Sequence, residues 1–106
     1  MNVTVIDAPD ASRYEVVVGG TLAGFAEYRL EGRVMAFTHT ETLPEFAGQG
    51  LARALVEFAL GDARARDLEV LPFCPYVRSV VARNPGTWLD LVPAEARERL
   101  GLADGR

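Results

Sequence analysis

Three places in this sequence carry residue types that could do chemistry. The first is His39 and Glu41, which alternate with Phe37 and so share one face of a strand through 33–41. A histidine titrates near neutrality and could move a proton through a water, and Glu41 could do so from a buried position. A polar residue at a strand end is equally at home in solvent. The second is Cys74, followed by Pro75 at the tolerated first-turn position of a helix. A helix start favours a thiolate, so Cys74 could act as a nucleophile or hand a proton to a leaving group. The commonest fate of a lone cysteine is nonetheless that of a small buried hydrophobe. The third is the run Ala47-Gly48-Gln49-Gly50-Leu51-Ala52. Amides at a helix start have no internal partner and carry the positive end of the dipole. Gly48 and Gly50 let an anion approach without a Cβ clash, and small Ala52 keeps the first turn open. These residues suit a pyrophosphate cradle, and equally a simple turn into a helix. The loop lacks the Lys-Ser/Thr pair of a Walker A motif and the third glycine of a dinucleotide fingerprint.

The elements that must position these residues follow from the apolar pattern. Residues 1–12 are weakly patterned, either a short strand through Val3 and Val5 or a loose end. Residues 13–18 predict a strand by β-branched content, and Gly19-Gly20 a two-residue turn. Residues 21–30 alternate, with Leu22, Gly24, Ala26, Tyr28 and Leu30 on one face. Glu31-Gly32 turns the chain into a third strand over 33–41, which completes an antiparallel meander. Pro44 ends it. From Gly50 the period becomes helical, with Leu51, Leu55, Phe58 and Asp62 in one row to about Arg66, a helix about 25 Å long. Residues 68–73 form a fourth strand, apolar on both faces as for a strand covered on both sides. Strand, crossover helix and strand imply a parallel connection. A second helix runs from Pro75 to about Arg83 and stops at Asn84-Pro85-Gly86, and 93–101 predicts a short terminal helix. The closing Ala-Asp-Gly-Arg is expected to fray.

Composition bounds the rest. The 106 residues fit one domain, 1–106, with a core at about 14–92. Hydrophobic residues make up 49% and charged residues 25%, a globular balance. The net charge of -4, with 11 basic residues that are all arginine, argues against a nucleic-acid partner. No apolar run approaches the ~20 residues a membrane span needs, and the start lacks a secretory pattern. A single cysteine excludes an internal disulfide framework. One Cys and one His argue against a structural metal. The expected location is cytoplasmic.

The glycine run resembles motif A of the GNAT acyl-CoA N-acyltransferase superfamily, Gln/Arg-x-x-Gly-x-Gly/Ala. The surrounding His39-Thr40-Glu41, Pro44-Glu45 and Cys74-Pro75-Tyr76-Val77 resemble a short subgroup of that superfamily, so that the resemblance spans about 14–92. One position departs: Ala47 stands where Gln or Arg is usual, which removes a side-chain contact and leaves the backbone cradle. The resemblance implies an α/β (α+β) fold, a meander followed by a strand-helix-strand unit with a splayed acyl-CoA cleft. It implies that the pantetheine arm of acetyl-CoA or coenzyme A runs along Thr42-Leu43. It also implies that the pyrophosphate meets the amides from Ala47 to Ala52, with Asn84 joining the cofactor-binding set. Arg83, beside Asn84, could reach a phosphate or stay solvated. N-acyl transfer needs an amine stripped of its proton, a donor for the oxyanion and a proton for the leaving thiolate. By resemblance Cys74 lies near the reactive carbonyl, His39 and Glu41 are candidate bases, and Tyr76 is a further candidate acid. The acceptor is an amine, small or carried on a protein.

Two other readings compete. One is a non-catalytic acyl-CoA binding or sensing module, favoured by the short length and Ala47. The other is an interaction protein that keeps the fold and binds no coenzyme A. Acyl transfer that depends on an added amine separates the first from an enzyme, and ligand binding separates the second.

Overall fold

The computed structural model describes residues 2–102. Five strands form one sheet in sequence order: β1 (Val3–Ala8), β2 (Arg13–Val18), β3 (Thr21–Glu31), β4 (Val34–Thr42) and β5 (Glu69–Pro72). The first four pair antiparallel, and β4 pairs parallel to β5. Residues 3–8 are thus a strand, pinned along its length to β2. Gly19 and Gly20 take φ +55 and +86, the left-handed values that a tight hairpin turn needs. The long helix α1 (Leu51–Ala65) crosses between β4 and β5, and α2 (Pro75–Arg83) follows the last strand. Two one-turn helices, α3 (Pro85–Trp88) and α4 (Ala94–Arg97), close the described chain. The expected terminal helix is therefore one turn long, and Asn84-Pro85 starts α3 as well as ending α2. The tail Ala-Asp-Gly-Arg lies outside the described residues.

The core lies on one side of the sheet. Tyr14, Val16, Ala26, Tyr28, Met35, Phe37 and Val70 are buried there against Leu51, Leu55, Val56, Ala59, Leu60 and Ala63 of α1. Phe58 falls outside that stripe and is 46% exposed, although its ring edges Tyr14 at 6.2 Å. The register therefore turns the helix toward Val56 and Ala59, because small residues let it approach the sheet. Asp62 meets the sheet through a hydrogen bond: the Tyr14 hydroxyl donates to it at 2.5 Å. Arg66 donates to Asp62 and Asp7, and the Tyr28 hydroxyl donates to Asp7 at 2.7 Å. This network satisfies the polar tips that aromatic residues bring into a core. Burial first, then the Asp62 carboxylate, holds the Tyr14 hydroxyl far above the usual phenol range. The same causes push Tyr28 up to about 12, with Asp7 as its carboxylate.

The other side of the sheet carries no buried residue in its outward rows. Ile6 on β1, Arg13, Glu15 and Val17 on β2, Phe25 and Glu27 on β3 and His39 and Glu41 on β4 are all half-buried or exposed. The expectation that β5 is covered on both faces is corrected here. Val70 and Pro72 are buried, Leu71 is half-buried and Phe73 is 50% exposed.

Candidate functional site

Two bulges shape the end of the meander. In the β3–β4 ladder Glu27 faces His39 while Tyr28 faces Phe37, so Thr38 is an extra residue on β4. A bulge shifts the alternation by one. The expected shared face of Phe37, His39 and Glu41 is therefore broken. Phe37 points into the core, whereas His39 and Glu41 point to the open side of the sheet. Thr40 takes the inward direction instead. In the β2–β3 ladder Val16 faces Gly24 and Val17 faces Leu22, so Ala23 is the extra residue. The Ala23 carbonyl accepts the Leu43 amide at 2.8 Å and ties the exit of β4 to β3.

The β4–β5 ladder stops at Phe37 and Pro72. Proline has no amide to donate, so the parallel pairing cannot continue on its own terms. The Cys74 amide donates to Phe37 at 2.9 Å, and the chain then turns into α2. β4 runs on from Thr38 to Thr42 with no strand on that side among the described residues. The two strands part here, leaving an open backbone edge that leads to the glycine loop.

At the loop, Gly48 and Gly50 take φ +79 and +74, and Gly50 caps α1 without any side-chain bond. A Cβ at either position would meet nothing within 4 Å. The requirement for glycine is thus conformational, set by the left-handed φ at both positions. The Ala47 amide donates to Pro44 and the Ala54 amide to Gly50. Between them, the amides of Gly48, Gln49, Gly50, Leu51, Ala52 and Arg53 have no protein acceptor among the described residues. The uncommitted set therefore starts one residue after Ala47 and includes Arg53. The Leu43 amide is committed to β3, on the other edge of β4, and the strand itself ends at Thr42. Leu51 sends its side chain into the core, and Ala52 is half-buried.

Cys74 is 4% exposed and caps α2, with its Sγ 3.4 Å from the Thr40 hydroxyl. It thus sits in the fork between the parted strands, partnered from β4. His39 and Glu41 form their own pair, Nε2 to Oε1 at 3.1 Å, with half of each side chain exposed. The Phe25 ring lies 6.2 Å from the imidazole. The sheet separates this pair from Cys74. Asn84 stands at the far end of α2, where its carbonyl accepts from Thr87 and Trp88. No hydrogen bond among the described residues joins it to the loop. Thr40 and Pro72 were not singled out from the sequence. A proline inside an apolar run was the available signal for Pro72; none was available for Thr40, whose direction depends on the bulge.

A profile of the family described as GCN5-related N-acetyl-transferase matches residues 13–91. Among solved structures, the chain is similar to a GCN5-like putative N-acetyltransferase from Staphylococcus aureus, with TM-score 0.64 and 16% identity over 87% of this chain and 89% of that one. It is similar to the ribosomal-protein-S18-alanine N-acetyltransferase of Escherichia coli, with TM-score 0.52 and 22% identity over 55% of this chain and 38% of that one. A third likeness is the ribosomal-protein-alanine N-acetyltransferase of Brucella melitensis biovar Abortus 2308, with TM-score 0.52 and 20% identity over 77% and 61%. The chain spans well under half of the Escherichia coli protein. At these identities the likenesses establish the fold. No curated protein sequence matches the chain.

Proposed function

Since the chain belongs to the GCN5-related N-acetyltransferase family, we propose that it transfers an acetyl group from acetyl-CoA to an amine. One observation carries the reading: the unclaimed amides from Gly48 to Arg53 stand where the open edge of β4 leads. Anionic oxygens suit those donors and the helix dipole behind them. A pantetheine arm carries amides of its own, which suit a free strand edge from Thr38 to Thr42. No metal is invoked.

In this reading the amine nitrogen attacks the thioester carbonyl, the new carbon–nitrogen bond forms, and the carbon–sulfur bond breaks. The incoming ammonium gives one proton through His39, oriented by Glu41, to water on the open side of the sheet before the attack, and the nitrogen gives its second by the same route as the amide forms. The leaving sulfur forms beside Cys74, whose thiol supplies its proton and recovers one from solvent. Thr40 holds that thiol in place. Direct transfer is preferred over an acyl-Cys74 intermediate because the sulfur is almost fully buried and already partnered.

The separation of His39 from Cys74 by the sheet also favours a second reading, an acyl-CoA binding module without transfer. Thermal-shift titration with acetyl-CoA, followed by coenzyme A release with a panel of amines, tests both. Ligand at a hundredfold over its Kd adds about 2.7 kcal/mol. A shift with amine-dependent release supports the enzyme. A shift without release supports the module, and no shift removes both.

A further inference from the structure

The open side of the sheet is the surface that the acyl-transfer reading leaves unexplained. Its outward rows hold no buried residue, and Ile6 exposes 43% of its surface there. His39 and Glu41 stand on it, half exposed. Small ligands bind where concave walls cover most of their surface. An exposed face instead fits a partner that brings its own surface.

Its charge says which kind. Glu15, Glu27, Glu41 and Glu69 point outward against Arg13 and Arg29. Arg13 is held by Glu15 at 2.8 Å and lies over the Phe25 ring at 4.5 Å, so an aromatic face here already takes a guanidinium. The Glu27 and Glu69 carboxylates make no side-chain hydrogen bond among the described residues. Glu27 is paired across the ladder with His39, which puts that free carboxylate beside the proposed entry of the amine.

We infer that this face docks a basic polypeptide segment, which presents its own ammonium group at His39. The inference rests on the acyl-transfer reading for what happens to that ammonium, and on charge complementarity for the docking. Phosphate-rich partners meet the wrong sign.

The test is fluorescence anisotropy of a labelled short peptide rich in lysine and arginine, against an acidic peptide of equal length. The basic peptide should bind, weaken steeply with added salt and lose roughly three- to tenfold in affinity in Glu27→Arg, with a smaller loss in Glu27→Gln. The acetyl-CoA thermal shift should be the same in both variants. Equal binding of the two peptides, or none, overturns the inference. A dimer in sedimentation that excludes the peptide overturns it in favour of a second copy of this chain. If peptide binds but acetyl-CoA gives no shift, the docking surface stands and the transfer reading falls. If acetyl-CoA shifts and no peptide binds, the reverse holds.

Discussion

Replacing Gly24 by alanine should cost stability and cofactor affinity together. Gly24 lies on β3 opposite Thr42, and a Cβ there would stand 2.6 Å from the Glu41 carbonyl oxygen and 3.3 Å from the Thr42 Cα. Both are backbone atoms, so neither can swing aside. Restoring an ordinary carbon–oxygen contact of about 3.3 Å requires β4 to retreat by roughly 0.7 Å. Overpacking of this kind costs roughly 1–3 kcal/mol, and the lower unfolded-state entropy of alanine returns about 0.4–1. The net loss is about 1–2 kcal/mol, or roughly 5–15 °C in Tm for a domain of this size. The strand that retreats is the one with the open edge, so acetyl-CoA should also bind less tightly to protein that is still folded. Gly61 provides the control. It lies inside α1, and a Cβ there meets nothing within 4 Å. Gly61→Ala should therefore stabilise by about 0.5–1 kcal/mol through helix propensity. Thermal melts of both variants, with calorimetric titration of acetyl-CoA at 20 °C, read the pair. A Gly24→Ala melt within about 2 °C of the parent, or the two variants shifting in the same direction, would refute the close-approach argument.

Cys74→Ala should lower coenzyme A release while the acetyl-CoA thermal shift persists; unchanged turnover removes the cysteine from the mechanism. Thr40→Val keeps the volume and removes the hydroxyl partner of the thiol, so its release rate should fall in the same direction but less than in Cys74→Ala, again with the shift retained. Tyr28 gives an alkaline prediction. Its hydroxyl is raised to about 12 in the folded protein, so its contribution is intact below the ordinary phenol value of about 10 and is lost as pH climbs from 10 to 12. Denaturant midpoints between those values should fall, and Tyr28→Phe should flatten the fall.

The helical and meander patterns were legible because they depend on local period. Gly19-Gly20, Glu31-Gly32, the change of period at Gly50 and the start of α2 at Pro75 each follow from short-range chemistry, and the elements lie where those signals put them. What the sequence hid was the bulges. Nothing about Thr38 marks it as an extra residue, yet its presence reverses the faces of His39 and Glu41 relative to Phe37. Gly24 in a strand interior was the one visible hint of a close backbone approach, and the neighbouring bulge at Ala23 accompanies it. The one-sided burial of β5 was equally hidden. An apolar run reads the same whether one face is covered or two, and only tertiary packing decides.

The reversal at Thr38 has a chemical consequence. Had the alternation run on unbroken, His39 would point inward with Phe37, beside the fork that holds Cys74. A base and an acid would then share one buried compartment. The bulge instead places the imidazole in solvent on one side and the thiol out of solvent on the other, with the open edge of β4 between them. A reaction that releases a proton from an incoming ammonium and consumes one at a departing thiolate suits that division. The first proton needs an exit to water, and the second needs a donor that water does not compete with. The division predicts unequal responses to the two sites. His39→Ala should lower the rate and recover part of it when imidazole is added, since an exposed base can be replaced from solution. Cys74→Ser should lower the rate without such recovery, since its site is closed to solvent. If imidazole restores both variants equally, or neither, the two groups do not divide the work across the sheet, and the face-to-face mechanism is wrong.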